Sequence, residues 1–543
     1  MPCKESPLRH ASKLARHLPV NGEDRKRSRL QPLAMLDPLC LTCRMIADLR
    51  PRHLIHRPRG SLREAVFATT YRELPEVPSR RARRITAATL TLALLAGPAT
   101  AQRVPAADNT TYARAIAAGY KALTYCNGIF AADRTPEQID ADELKGIYPE
   151  YDAIVPTLAA DVNRASRTVR VAWSPALEPR EARWHQGTGC GLLPIGGPGE
   201  IVSFERPLPD TTRADPRPWP VGDAGITPRP SPALGARVAA AFDGRSYGAG
   251  KTVAVIILRD GVVAAERYAD GWGPFTPNRT WSAGKSLAGT LVGLAKADAA
   301  GALRPDRAAP IAQWRTPGDP RATISLDHLL RMASGLHSDT AGNRTDAIYF
   351  GGTAVDEQAV AWPLEAKPGT RFRYANDDIL LAVLAIRQTL GEQRYRALPA
   401  RLFAELGMRH TEPGTDWHGN YILSSQVWST ARDLARLGQF WLQDGVWQGK
   451  RLLPEGWMRY MTTPSGPQPA PGPNNSPGYG ATLWLFGPKQ GLPEGSYAAQ
   501  GNRGQYVMVI PSAKLVIVRR GEDPGVARFD IAKFAADILA ATR

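Results

Sequence analysis

Trp281-Ser282-Ala283-Gly284-Lys285-Ser286 opens a stretch of helical period that runs from Ser286 to Ala300, and Ser282/Lys285 is the only S-x-x-K pair in the chain. On a helix over 282–300, Ser282 sits at the N-terminus and Lys285 lies one turn along on the same face. A serine hydroxyl is a weak nucleophile until a base takes its proton. A neutral lysine can do so where burial and nearby positive charge lower its pKa. The helix N-terminus offers amides and a positive dipole end to a developing oxyanion. About one S-x-x-K is expected by chance in a chain of this length, so the motif gains meaning only from its company.

Two further stretches supply that company. In Tyr374-Ala375-Asn376, a tyrosine beside a cationic lysine could be partly ionised and relay protons, and Asn376 could hydrogen-bond the lysine or a substrate amide. Gln500-Gly501-Asn502 precedes a strand at Gln505. A glycine there lets a substrate carbonyl approach the backbone and supplies a second oxyanion amide.

Around these stretches, residues 235–543 read as one α/β (α+β) unit. Thr252 to Leu258 and Val262 to Tyr268 are strands joined by Arg259-Asp260-Gly261, an Asp-Gly hairpin signal. Helical stretches follow at Leu326 to Met332, Ile379 to Leu390 and Ala431 to Gln443. Gln505 to Ile510 and Lys514 to Arg519 are strands, and Phe529 to Ala541 is a closing helix. Strands at both ends with helices between predict an antiparallel sheet closed by the two ends of the unit. Upstream, residues 106–206 form an accessory module, with a helix from Tyr112 to Ala122 and a strand from Thr168 to Trp173. A proline-rich connector spans 207–234, where Pro216, Pro218, Pro220, Pro228, Pro230 and Pro232 argue against regular structure. Residues 464–480 form a second proline-rich loop, of the kind that binds ligands.

Taken in order, these motifs resemble the penicillin-recognising serine hydrolases: class C β-lactamases, D-Ala-D-Ala peptidases, and the related esterases and 6-aminohexanoate-dimer hydrolases. Leu326-Asp327-His328-Leu329-Leu330 with Ala333-Ser334-Gly335-Leu336 is similar to the segment that usually ends in T-S-G-L. Pro368-Gly369-Thr370-Arg371-Phe372-Arg373-Tyr374-Ala375-Asn376 resembles P-G-x-x-F-x-Y-x-N, and Ser429-Thr430-Ala431-Arg432-Asp433-Leu434 resembles S-T-x-x-D-L. The likeness covers about residues 245–540. It implies a β-lactamase/transpeptidase-like fold: an antiparallel sheet flanked by helices, packed on a helical domain, with the site between them. It also implies Ser282 as the acylated nucleophile, Lys285 and Tyr374 as its base pair, and Asn376 in support. The amides of Ser282 and near Asn502 would form the oxyanion hole. The third motif departs from the usual K-T-G or H-x-G, because Gln500-Gly501-Asn502-Arg503-Gly504-Gln505 stands there. The lysine that grips a β-lactam or peptide carboxylate is missing, with Arg503 as the candidate substitute. That favours ester or amide hydrolysis over β-lactamase or D-Ala-D-Ala carboxypeptidase activity.

Composition and charge narrow the alternatives. At 543 residues, 43% hydrophobic and 22% charged, the chain can bury a sizeable core. The net charge of +17 is concentrated at the start. Residues 1–101 hold 19 Lys/Arg against 8 Asp/Glu, a net of +11, which leaves +6 for the other 442 residues. That is a solvated surface rather than a nucleic-acid footprint. No apolar run reaches the roughly 20 residues of a membrane span. Arg80-Arg81-Ala82-Arg83-Arg84, the apolar run Ile85 to Ala96 and the site Ala99-Thr100-Ala101 read as a signal peptide over 80–101, hence a periplasmic or secreted protein. Residues 1–79 then read as an upstream extension, either outside the translated protein or disordered. After cleavage Cys126 and Cys190 remain, and export favours a disulfide over two buried free thiols.

Other motifs lead away from chemistry. Gly244-Arg245-Ser246-Tyr247-Gly248 matches G-x-S-x-G, but its strand follows instead of preceding, so it reads as a loop. Gly250-Lys251-Thr252 and Gly284-Lys285-Ser286 lack the first P-loop glycine. Cys40 and Cys43 have no second pair, and scattered histidines such as His337 and His410 make no metal set. No metal or cofactor is expected. The expectation is an enzyme acting on a small-molecule ester, amide or peptide, with a non-catalytic binding protein on the same scaffold as the alternative.

Overall fold

A computed structural model of the chain describes residues 111–197, 200–201, 214–338, 345–472 and 476–542. The signal-like segment, the extension before it, Cys40 and Cys43 lie outside the described residues, as do 207–213 of the connector.

The core is a seven-stranded antiparallel sheet. Its strands are β5 (Thr252–Arg259), β6 (Val262–Tyr268), β7 (Gly478–Tyr479), β8 (Trp484–Phe486), β9 (Ser496–Gly501), β10 (Gln505–Ile510) and β11 (Leu515–Gly521), in the order β7-β8-β9-β10-β11-β5-β6. The first hairpin and the last two strands pair at the centre, with Ile257 opposite Ile517, so the two ends of the unit close the sheet as expected. The β5–β6 turn places Asp260 and Gly261 at φ 51° and 81°, the left-handed pair a tight hairpin needs.

β5 is apolar almost throughout because both of its faces are covered. Ala254, Ile256 and Leu258 pack against a helical layer, whereas Val255 and Ile257 pack on the opposite side. The outer side carries α2 (Pro232–Ala240) and α6 (Ile531–Ala541). The sequence places Pro232 in irregular chain; in the structure it opens α2. Ser231 caps the Leu234 amide, and proline at the first helical position gives up no hydrogen bond. The helical layer contains α3 (Gly284–Asp298), α4 (Asn376–Leu390) and α5 (Ala431–Leu442). α3 is buried from Gly284 to Ala295. It reaches that depth through small residues. A β-carbon on Gly293 would lie 2.3 Å from Trp457 Nε1, and one on Gly289 would lie 2.3 Å from Thr482 Oγ1.

Ahead of this unit, α1 (Thr111–Phe130) packs on a four-stranded antiparallel sheet of β1 (Ala160–Asn163), β2 (Thr168–Val171), β3 (Arg180–His185) and β4 (Gly189–Leu192). A Cys126–Cys190 disulfide ties α1 to β4. This module lies directly against the larger unit. A β-carbon on Gly119 of α1 would fall 1.9 Å from the Phe350 carbonyl oxygen. Tyr151 donates to Asp346 at 2.7 Å, Arg180 to the Gly351 carbonyl at 2.9 Å, and Trp184 to Glu412 at 3.0 Å. The connector is also docked: Trp219 donates to the Gly261 carbonyl at 2.9 Å, and Arg436 to the Pro220 and Gly222 carbonyls, each at 2.7 Å.

Candidate active site

Ser282 lies in a short 3-10 turn, Trp281–Ala283, which runs into α3 at Gly284. The nucleophile candidate therefore stands just ahead of the helix, and Lys285 belongs to its first turn. Lys285 Nζ lies 3.1 Å from Ser282 Oγ, 2.6 Å from Asn376 Oδ1 at the start of α4 and 2.8 Å from the Ser424 carbonyl oxygen. The Tyr374 ring centroid is 5.0 Å from the same nitrogen. Four candidate residues, Ser282, Lys285, Tyr374 and Asn376, thus meet at the junction of α3 and α4. The Ser424 carbonyl completes the lysine's surroundings. A backbone acceptor carries no residue signature, so sequence reasoning had no means of finding it.

The electrostatics give the two candidate bases different states. Burial is the largest effect on Lys285 and pulls its pKa down to about 7; Asp377 opposes this and Arg279 adds to it. Near neutral pH half of the lysine is then an amine. Such an amine can donate to Asn376 and Ser424 while turning its lone pair toward the Ser282 hydroxyl. Tyr374 differs from expectation. Burial raises its pKa well above the ordinary phenol value, outweighing a hydrogen bond with Ser282, so it keeps its proton. Its ring is wedged between Trp484 and Tyr479, at centroid distances of 5.5 and 6.1 Å.

The third stretch is split by the sheet. Gln500 and Gly501 end β9, and Asn502 begins a short turn before β10. Gly501 backs onto the nucleophile turn: a β-carbon there would lie 2.2 Å from the Thr280 carbonyl oxygen and 3.1 Å from the Ala283 nitrogen. This glycine is needed for packing against Ser282's own turn, whereas the sequence argument reserved the space for a substrate. Gln500 does not join the cluster. Its neighbour Ala499 faces the helical layer, so the period-two alternation sends Gln500 to the α6 side, in a groove with Tyr247, Phe486 and Phe529. Arg503 is also no substitute for the missing lysine. It is buried, and its Nε donates to Glu522 at 3.0 Å.

Trp281 and Arg503 immediately flank Ser282 and Asn502, and both adopt left-handed backbone conformations, at φ 50° and 57°. For a residue with a β-carbon this costs about 1–2 kcal/mol each, so the surrounding structure must hold both in place. Arg279 contributes by stacking on Trp281 at 3.7 Å and donating to the Ser425 carbonyl at 3.2 Å. Arg520 fixes the strand leading into the turn through the Asn278 and Ser429 carbonyls, at 2.8 and 2.6 Å. Sequence reasoning passed over both arginines, which have no motif of their own.

Among the described residues no cluster of His, Cys, Asp and Glu could hold a metal, and no helix is long and apolar enough to cross a membrane. His337 pairs with Glu365, and the His410 amide donates to Asp433 at 2.8 Å. Ser246 of the G-x-S-x-G stretch bonds Asp243 in a loop, at 2.6 Å. A cavity of about 780 Å³ between module and sheet, lined by Arg134, Trp272, Phe275 and Trp428, contains none of the candidate residues.

The sheet order, the helical layer and the serine–lysine pair together define a class. The Beta-lactamase family description matches residues 238–540, more than half of the sequence, and the chain belongs to that family of hydrolases. Over 308 residues it is 29% identical to the 6-aminohexanoate-dimer hydrolase of Paenarthrobacter ureafaciens, covering 50% of this chain and 73% of that protein. A β-lactamase/D-alanine carboxypeptidase from Pseudomonas syringae is 16% identical, with a TM-score of 0.44 over 57% of this chain and 99% of its own. A penicillin-binding protein homologue from Caulobacter crescentus is 16% identical, with a TM-score of 0.47 over 58% and 98%.

Proposed function

We propose that the protein is an exported serine hydrolase that cleaves an ester or amide bond through an acyl-enzyme on Ser282. The observation that carries this reading is the 3.1 Å contact between Ser282 Oγ and a buried Lys285 whose pKa lies at about 7. The lysine amine takes the hydroxyl proton as Oγ attacks the substrate carbonyl. The amides of Ser282 and the Asn502 turn receive the negative oxygen. Tyr374 holds its proton, so it serves as a donor: it protonates the departing alkoxide or amine and is reprotonated by the Lys285 ammonium. Water then attacks the acyl-enzyme with Lys285 again accepting its proton; the acyl–Oγ bond breaks, the lysine returns the proton to Ser282 Oγ, and the carboxylic acid leaves.

Substrate preference follows from charge. The cation nearest the β9 turn, Arg503, is committed to Glu522. Among the described residues of that turn, a substrate carboxylate beside the scissile bond would find no uncommitted cation. This supports esters and linear amides over β-lactams and D-Ala-D-Ala peptides, and the likeness to a 6-aminohexanoate-dimer hydrolase points the same way. Export is supported by the signal-like segment and is compatible with the Cys126–Cys190 bridge.

The test is intact-mass spectrometry of the exported protein before and after a fluorophosphonate, with Ser282→Ala alongside. The expected result is one adduct on the wild type only, on a chain beginning at Gln102. Equal labelling of Ser282→Ala would remove the nucleophile assignment. Turnover of p-nitrophenyl butyrate, a linear aminohexanoate dimer and a chromogenic cephalosporin would then rank the substrate classes.

A further inference from the structure

Trp281, the strained residue before Ser282, has a neighbour outside the family domain. The Beta-lactamase match begins at residue 238, so the module that precedes it has no role assigned by that family. Tyr148 of the module places its ring 6.5 Å from Trp281, the residue before Ser282. The ring is fixed from behind by Tyr120 at 5.0 Å and Phe350 at 5.4 Å, both edge-on. Behind Tyr120 lies Glu143 of the module, which is buried. Arg134 donates to its carboxylate at 3.3 Å, and Tyr120 donates to its backbone carbonyl. Burial and then Glu522 push its carboxyl up to about 7, and the charges of Arg503, Arg134 and Arg279 offset only part of that rise.

We infer that this module is a positioning element of the active site: Tyr148 holds the Trp281 turn that presents Ser282. The inference rests on the hydrolase reading above. Left-handed backbone at a residue with a β-carbon persists only where neighbours over-determine it, and here the module contributes a neighbour to the Trp281 turn. Relaxation of that turn moves the nucleophile by roughly a fraction of an ångström to an ångström. Displacements of that size cost chemistry more than binding.

The test uses the mature chain with p-nitrophenyl butyrate as substrate and a fluorophosphonate to count competent sites. Tyr148→Ala should lower kcat per titrated site between about ten- and a hundredfold, with KM held within about twofold. Tyr148→Phe, which keeps the ring, should restore it. Tyr148→Leu, which keeps apolar bulk but loses the flat ring, should lower kcat by about tenfold and serves as the deciding variant where Tyr148→Ala is not recovered folded. A purely structural role would reduce the melting temperature or the number of titratable sites and leave kcat per site unchanged; that outcome overturns the inference. An unlabelled Ser282 in the wild type would overturn the hydrolase reading and this one with it. Normal labelling and turnover in wild type and variants overturns the module's role alone.

Discussion

The acid limb of the acylation rate follows directly from Lys285. Only the amine can accept the Ser282 proton, and burial sets its pKa at about 7. The amine fraction is half at pH 7, roughly a tenth at pH 6 and roughly a hundredth at pH 5. The second-order rate of fluorophosphonate labelling isolates acylation from deacylation, so it should fall tenfold per unit below neutrality and be level above about pH 8. Three buried carboxyls, Asp378, Glu143 and Glu412, are also pushed up to about 7, and each would give a limb in the same place. Two further measurements separate them. Asp378→Asn, Glu143→Gln and Glu412→Gln should leave the limb standing, because the base is elsewhere. Warming should move the limb acidward, because ammonium groups lose protons on heating much more readily than carboxylic acids do. A labelling rate on Ser282 that is flat from pH 8 to pH 5 would refute the assignment of Lys285 as base.

The same lysine makes a stability prediction. Its pKa is 10.5 when unfolded and about 7 when folded, so the unfolded chain holds the extra proton between those values and stability rises with pH across that window. Below pH 7 the buried ammonium costs on the order of 5 kcal/mol. Lys285→Met should therefore raise the melting temperature at pH 6 and lose that advantage toward pH 10, as differential scanning fluorimetry would report. Reducing the Cys126–Cys190 bridge, which spans 64 residues, should destabilise the module by up to about 4 kcal/mol, read by denaturant titration with and without reductant. Gly293→Ala should cost about 1–3 kcal/mol, because the rigid Trp457 indole occupies the space of the new methyl group; an unchanged unfolding midpoint would contradict this packing.

Local chemistry made part of this structure legible in the sequence. Asp260-Gly261 announces its hairpin because two left-handed residues in a row demand such side chains. The apolar periods of α3 and α4 announce helices, and the S-x-x-K spacing puts a lysine one turn from a serine. What remained hidden depends on tertiary context. Ala498-Ala499-Gln500-Gly501 carries too little polarity contrast to fix which residues face the helices, and the sheet sends Gln500 to the far side. Arg503 reads as a free cation until Glu522 is seen beside it. Tyr374 reads as ionisable beside lysine, yet burial of both groups lowers one pKa and raises the other. The module and connector read as separate pieces in sequence, because the contacts that dock them, such as Gly119 on Phe350 and Arg180 on Gly351, join residues far apart along the chain.

These hidden features share a physical origin. An amine in place of an ammonium, two left-handed residues and three helix or strand glycines pressed against neighbours each raise the energy of the site. None would survive in a thin scaffold. A sheet covered on both faces supplies the surplus, with Ile256, Ile257, Val507, Met508 and Ile517 fully or almost fully buried at its centre. Each such side chain contributes about 1.5–3 kcal/mol of burial. The strain is concentrated where β9 ends and α3 begins, with the module's Tyr148 against Trp281. Substitutions that relieve it, Lys285→Met first among them, should stabilise the protein at neutral pH in the same measure as they disarm Ser282.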